Sequence, residues 1–233
     1  MFWLAVGFGI LSVVSVLRIP AEAIDDDAAR GLEGADAGGA SGWRTLLKNR
    51  ALLVLAISLL FFHLGNAAML PLLGMAISAT RTTDPAAGVA ITIVVAQGVM
   101  VIVSAVAVRF EARAGGWLVL LVSFLALPLR GLVAAKLHAQ WGMYPVQVLD
   151  GVGAGLQSVA VPNLVARVLA GTGRVNVGQG AVMTAQGIGA SLSPALGGWL
   201  AEELGYPASF GLLGLCAVPA IGLWALSRSS FRA

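Results

Sequence analysis

The sequence predicts an all-α fold, a polytopic membrane helix bundle of about seven transmembrane helices. Of its 233 residues, 58% are hydrophobic and 11% are charged, and the mean hydropathy is +0.91, whereas a soluble domain has about 25% charged residues. Most of the chain consists of apolar stretches of about 20 residues, the length that crosses ~30 Å of hydrocarbon as a helix. Alternate polar segments between them are basic, as expected when Lys and Arg collect on the cytoplasmic side.

Seven apolar runs are the predicted transmembrane spans. They cover residues 2–17, 51–77, 88–108, 117–135, 143–169, 178–200 and 208–226. The first is the weakest because it is short, and Ala21 to Ala23 after it form a small-x-small sequence typical of signal-peptide cleavage. Since no Lys or Arg precedes this run, and signal peptides begin with a basic region, we interpret it as a shortened transmembrane helix.

The longest polar stretch, residues 18–50, is predicted to be a cytoplasmic linker. It separates the helix in residues 1–17 from a six-helix transmembrane unit at 51–227, and residues 228–233 form a cytoplasmic tail. The linker is acidic at first and becomes basic from Trp43 to Arg50. A basic segment with an aromatic residue favours a helix at the membrane interface, leading into the second span.

The positions of the basic residues predict the orientation of the chain. Three of the 14 Lys and Arg residues, Arg81, Arg130 and Lys136, lie on or nearer one side. The other eleven share the opposite side: Arg18, Arg30, Arg44, Lys48, Arg50, Arg109, Arg113, Arg167, Arg174, Arg228 and Arg232. Because the side rich in Lys and Arg is cytoplasmic, we expect the N-terminus outside and the C-terminus inside the cell membrane, a bacterial inner membrane.

Polar residues inside the spans identify a candidate solute pathway. With direction assigned, a rise of ~1.5 Å per residue gives their depth. Five residues from four spans share one level, and they are the candidate substrate-binding residues His63, Asn66, Gln97, Gln157 and Gln186. Spans one, four and seven offer only small groups there, such as Ser15, Ser123 and Cys216, which can bond to their own backbone. Those three spans are therefore predicted to face lipid.

Two interpretations of the five residues stay open. Each side chain can simply hold neighbouring helices together, which contributes about 0.6 kcal/mol on average. As a set at one level they favour a solute pathway, because polar groups in the membrane usually face other helices or a water-filled path.

Arg130 and Asp150 form a second candidate site, for ion coupling or gating. Helical rise places both some 8–10 Å below the outer boundary of the membrane. A lone buried charge is costly, so we expect the two to pair or to share a network. The pair is interpreted either as a structural clamp or as a gate or proton-sensitive latch.

Other classes of site are not indicated. Cys216 is the single cysteine, and the two histidines, His63 and His138, are too far apart in the sequence to suggest a metal site. The sequence predicts no cofactor and no catalytic residues, so an enzyme is disfavoured. The basic residues sit at helix ends and form no stripe, which argues against nucleic acid as a partner.

Three segments resemble the C-terminal half of a major facilitator superfamily transporter, most like bacterial multidrug or small-molecule efflux members. They are residues 61–72 (FFHLGNAAMLPL), 149–155 (LDGVGAG) and 178–191 (GQGAVMTAQGIGAS). The resemblance extends over the whole chain. It implies two six-helix halves joined by a long charged linker, with the first span here as helix six and the remaining spans as helices seven to twelve. It also implies that spans one, four and seven are peripheral.

The resemblance implies transport of a small molecule by a secondary transporter, here an incomplete chain, with proton-coupled efflux as the expected mode. The expected partners are the lipid bilayer, the solute with protons, and a missing N-terminal half. A gene fragment is the favoured explanation of the incomplete chain. The alternative from another class is a non-transporting fragment or a membrane partner subunit.

Overall fold

The computed structural model describes residues 2–25, 30–32, 44–79, 85–136 and 140–231, and within these ranges the chain contains helices and no strands. Arg81, His138, Arg232 and Trp43, which the sequence predictions used, lie outside the described residues. The α-helices are α1 (Phe2–Leu17), α2 (Arg44–Lys48), α3 (Arg50–Asn66), α4 (Met69–Ala79), α5 (Pro85–Ala114), α6 (Gly116–Lys136), α7 (Met143–Val168), α8 (Val175–Leu215) and α9 (Ala217–Leu226). Short 3-10 helices cover Ala21–Ala23, Gln140–Gly142 and Arg228–Phe231.

Five stretches of the described chain are long and apolar enough to cross a membrane. They are Arg50–Ala76, Ala90–Ala114, Gly116–Lys136, Met143–Val168 and Val175–Leu226. The last has 52 residues and contains two of the predicted spans. Gly205 (φ 79°, ψ 164°) interrupts the helical geometry of α8 and separates these two spans. With the shorter apolar α1, of 16 residues, the helices account for all seven predicted spans. The predicted all-α membrane helix bundle is confirmed.

Local sequence explains where several of these helices begin and end. The side chain of Asn49 caps α3 by accepting a hydrogen bond from the backbone N–H of Leu52 at 3.0 Å. Gly115 (φ 83°) separates α5 from α6, and its N–H donates to the carbonyl of Glu111 at 2.8 Å. Glycine suits this position because a left-handed residue after a helix ends it without strain.

The bundle is built on α3, α6, α7 and α8. The most extensive packing joins α3 with α8 and α5 with α7, followed by α6 with α7 and with α8, and α9 lies against α3 and α6. Small residues make some of these contacts possible. At Gly151 of α7, an added Cβ would lie 2.5 Å from the carbonyl oxygen of Ala96 on α5. Close backbone approach of this kind is typical of membrane helices.

The exposed surfaces of the helices differ in character. One face of α6 is buried, and its exposed stripe, formed by Val122, Leu125, Leu129 and Leu132, is apolar, as suits a surface that meets lipid. Helix α5 is exposed over most of its circumference, and so are the described side chains of residues 6–25, which include most of α1.

Candidate solute-binding site

The helical hydrogen-bond pattern of the second predicted span is interrupted at residues 67 and 68, between α3 and α4, although Ala67 keeps helical dihedral angles (φ −68°, ψ −32°). At the break the backbone N–H of Ala68 donates to Ser193 Oγ of α8 at 2.8 Å, and both groups are buried. One turn further along α8, a Cβ on Gly197 would lie 2.7 Å from the Cβ of Ala68. The break is therefore held against α8. Asn66, the last residue of α3, lies directly before it.

Asn66 belongs to a buried network around Arg130 of α6. Nη1 of Arg130 donates to Asp150 Oδ1 at 2.8 Å and to Asn66 Oδ1 at 2.6 Å, and Nη2 donates to Gln147 Oε1 at 3.0 Å. Asn66 Nδ2 also reaches Asp150 Oδ1, at 3.4 Å. The structure thus brings Arg130 and Asp150 together as an ion pair and ties α3, α6 and α7 at one point. Its role in gating or coupling stays a prediction.

The two charges of the pair differ in accessibility. The Arg130 side chain is 1% exposed and that of Asp150 is 23% exposed. Among the described residues, the network leaves Arg130 Nε and Gln147 Nε2 buried without a hydrogen-bond partner. A buried charge depends on its partners because it has lost its hydration. The carboxylate is the more accessible member of the pair in the described chain.

A second polar layer lies one heptad away on the same two helices. Gln157 Nε2 of α7 donates to Ser123 Oγ of α6 at 2.9 Å, and Ser123 Oγ donates to the Gly153 carbonyl at 3.1 Å. Ser123 precedes Arg130 by seven residues and Gln157 follows Asp150 by seven. At ~1.5 Å per residue the layers are about 10 Å apart.

His63 of α3 lies at this second layer. The Gln157 side chain is beside its ring, and the ring packs edge-on against Phe62 with centroids 5.4 Å apart. His63 Nε2 is buried and has no hydrogen-bond partner in good geometry among the described residues, although the Gln157 side chain lies beside the ring. An unpartnered polar atom in a buried place is costly, so this nitrogen is the strongest candidate in the layer for contact with a solute.

The remaining two candidate residues stand apart. Gln97 is exposed on α5 and Gln186 is half-buried on α8. Within the described chain, neither is hydrogen-bonded to another of the predicted site residues. The five residues expected at one level therefore do not form a single cluster. Asn66 joins the Arg130 network, His63 and Gln157 form the second layer, and the two other glutamines lie apart, Gln97 exposed and Gln186 half-buried.

Sequence reasoning missed two contributors. Gln147 is fully buried in the Arg130 network, and its position one helical turn before Asp150 was the available signal. Ser123 was expected to bond to its own backbone, and this was wrong because its hydroxyl lies against α7 and bonds there. The same expectation is met by Ser15 and Cys216, which bond to the carbonyls of Leu11 and Leu212 four residues earlier.

Further polar groups connect α5 with α7. The hydroxyls of Ser104 and Ser158 are 2.9 Å apart, and Asn163 Nδ2 donates to Glu111 Oε2 at 2.8 Å. Gln97, Ser104 and Glu111 follow one another at heptad spacing on α5. They form a polar line from the middle of the helix to its C-terminal end.

Comparison with known proteins supports the family resemblance. No family model matches the chain. Two proteins of Mycobacterium tuberculosis, from strains CDC 1551 and H37Rv, are each 38% identical to it in an alignment of 222 residues, and the alignment covers 93% of this chain and 52% of the relative. Both are named uncharacterized MFS-type transporters, where MFS denotes the major facilitator superfamily. The chain spans about half the length of these relatives, and the predicted resemblance to that superfamily is confirmed.

Proposed function

We propose that this chain, which is similar to MFS-type transporters, forms one half of a secondary transporter that moves a small molecule across the cell membrane. The observation that carries the proposal is the ion pair between Arg130 and Asp150, which Asn66 contacts from the end of α3. Its arginine is sealed inside the bundle and its aspartate is partly accessible. Ionisable residues within membrane spans are costly and usually serve a transport path or a relay.

The solute is proposed to contact His63, Asn66, Gln97, Gln157 and Gln186. Two features support this set. His63 has an unpartnered nitrogen in the polar layer, and Gln97 projects from a helix whose surface is largely exposed in the described chain. Secondary transporters commonly bind solute near mid-depth, between halves that rock against each other, and often at discontinuous helices. The interruption of the helical hydrogen bonds at Ala68 is the feature of this chain that comes nearest to such a discontinuity.

Asp150, held by Arg130, is the proposed ion-coupling or gating residue. A proton on Asp150 would cancel its charge and weaken the ion pair, while Asn66 Oδ1 and Gln147 Oε1 would still accept from the guanidinium. Protonation would leave the buried guanidinium with neutral acceptors only, so it should weaken the network, as a gating or coupling step requires. On this basis the proposed mode of transport is proton-coupled efflux.

The proposed orientation places the N-terminus outside and the C-terminus in the cytoplasm, in the cell membrane. It follows from the eleven basic residues on one side and the positive-inside rule. The proposed partner is an N-terminal transporter half, because the chain matches 52% of its relatives. The exposed apolar faces of α1 and α5 offer surface for it.

The test is an efflux assay with ethidium in cells that express the full chain, alone and with an N-terminal half taken from one of its relatives. Proton-driven efflux should appear with both halves, stop when a protonophore removes the proton gradient, and fall at least tenfold in Asp150→Asn. An efflux rate that is unchanged by the protonophore would contradict the proposed proton coupling. Normal efflux in a variant with Gln97, Gln157 and Gln186 all changed to alanine would contradict the proposed binding site.

A second candidate function is that of a non-transporting membrane partner, which binds and stabilises another membrane protein. The exposed apolar surface of α1 and α5 favours it. It predicts no ethidium efflux, whether the chain is expressed alone or with an N-terminal half. It also predicts that the chain co-purifies with a second membrane protein. Pull-down from detergent extracts, together with the efflux assay, separates the two functions.

A further inference from the structure

Two neighbouring cavities lie at the end of the bundle where α5 ends and α6 begins, the end predicted to face the cytoplasm. One is about 240 Å³ and runs along residues 114–118 to the C-terminal turn. The other is about 300 Å³ and lies beside Asn49 and Ala51. Both are lined by Leu164, Arg167 and Phe231. We refer to the two together as the double cavity.

The wall of the double cavity is held by two tryptophans. Trp117 Nε1 donates to the Trp224 carbonyl at 3.2 Å, and Trp224 Nε1 donates to the Trp117 carbonyl at 2.9 Å. The rings stack with centroids 6.5 Å apart, and Phe231 packs on Trp224 at 4.5 Å. These contacts fix the C-terminal turn, Arg228–Phe231, against the start of α6, so the cavity wall is built by packed side chains.

Arginine supplies the charge of the double cavity. Arg167 and Arg228 both line it, and the Arg228 guanidinium lies 5.0 Å above the centre of the Trp117 ring. Stacking on an aromatic face holds a guanidinium in place and leaves its N–H edge for a ligand. Asn49 and Ser230 add polar groups beside Arg167. No lining residue in the described chain is acidic; Glu111 lies next to Gly116, with one oxygen bonded to Asn163.

We propose that the double cavity binds the phosphate of an anionic phospholipid. Arginine pairs with phosphate oxygens through charge-assisted hydrogen bonds, often two at once. Basic pockets at the cytoplasmic ends of membrane helices are suited to anionic lipid headgroups. Leu164, Trp117 and Phe231 provide an apolar wall for the beginning of an acyl chain. This wall favours a lipid over a free phosphate ion, and the site is separate from the solute and coupling residues proposed above.

The test measures lipid binding to the full chain by native mass spectrometry in detergent. Phosphatidylglycerol, phosphatidylcholine and inorganic phosphate are titrated separately. The variants are Arg167→Gln and Arg228→Gln, and Arg109→Gln is the matched control because Arg109 is an exposed arginine that does not line either cavity. Arg167→Lys and Arg228→Lys keep the charge and serve as conservative controls for the glutamine variants. Gel filtration checks that every variant is folded and monodisperse.

We expect one saturable phosphatidylglycerol site that binds at least tenfold more tightly than phosphatidylcholine. Each glutamine variant in the cavity should weaken it about tenfold, as the loss of one charge-assisted hydrogen bond implies. The lysine variants should bind more tightly than the glutamine variants, and Arg109→Gln should bind like the parent chain. Equal binding of both lipids, an equal loss in Arg109→Gln, or binding of inorganic phosphate without lipid preference would overturn the proposal.

Discussion

Arg130 and Asp150 share one ion pair, but only the aspartate opens toward solvent: the guanidinium is 1% exposed and the carboxylate 23%. The Asp150 carboxylate can therefore regain hydration if the arginine is removed. The buried Arg130 guanidinium cannot regain hydration if the carboxylate is removed. This asymmetry leads to the first prediction.

We expect Asp150→Asn to destabilise the chain more than Arg130→Gln. Removing one member of a buried pair costs about 3–5 kcal/mol, and the double variant should lose at least about 1 kcal/mol less than the sum of the single losses. The free energy of unfolding in mild detergent, from denaturant titration, measures all three. Arg109→Gln serves as an exposed control and should stay within about 0.5 kcal/mol. Additive losses would show that the two residues do not depend on each other.

Ser193 is expected to stabilise the break between α3 and α4. Ser193→Ala removes the acceptor for the buried N–H of Ala68 and should cost about 1–3 kcal/mol, the penalty of leaving a buried donor unpaired. Ser191→Ala is the matched control, since the Ser191 hydroxyl is exposed and bonds within its own helix, to the Gly187 carbonyl. Thermal unfolding followed by tryptophan fluorescence compares the two. An equal effect in both variants would contradict the prediction.

Gln157 and Gln97 are expected to differ in how much they contribute to the stability of the chain. Gln157→Ala breaks the bond to Ser123 in a buried layer and should lower the free energy of unfolding by about 1–2 kcal/mol. Gln97→Ala changes an exposed side chain and should leave it within about 0.5 kcal/mol while reducing ethidium efflux in the two-half assay. Unchanged efflux in Gln97→Ala would remove this residue from the solute path.

The close contact between α5 and α7 should not tolerate added volume. In Gly151→Ala the new Cβ would lie 2.5 Å from the Ala96 carbonyl oxygen, so the helices must separate, at a cost of about 1–3 kcal/mol. Gly187→Ala is the control, because a Cβ there meets nothing within 4 Å. Unfolding in detergent measures both, and a neutral Gly151→Ala would mean that the two helices pack less closely than described.

Orientation can be measured with single cysteines in a Cys216→Ser background. A membrane-impermeant maleimide added to intact cells should label Lys136→Cys, which lies on the predicted outer side, and should leave Ala21→Cys and Ser230→Cys unlabelled. Opening the cells should make the latter two reactive. Labelling of Ser230→Cys in intact cells would reverse the orientation that the basic residues predict.

Periodicity and length were enough to predict the spans, because a membrane helix must satisfy its backbone internally and fill ~30 Å with apolar residues. They could not predict the break at residue 67, since Ser193, the group that receives the freed Ala68 N–H, lies 125 residues away. Depth alone suggested that Arg130 and Asp150 would be neighbours. It could not tell which helix faces meet, so Gln147 and Ser123 were missed while Gln97 and Gln186 were grouped with residues they do not contact.

The two polar layers on α6 and α7 also restrict how the bundle can move. Because Ser123 pairs with Gln157 and Arg130 with Asp150, sliding one helix along the other by a single turn would separate both pairs at once. The two pairs therefore hold α6 and α7 in one register along their lengths. The interruptions of helical geometry at residue 67 and at Gly205 lie on the other pair of closely packed helices.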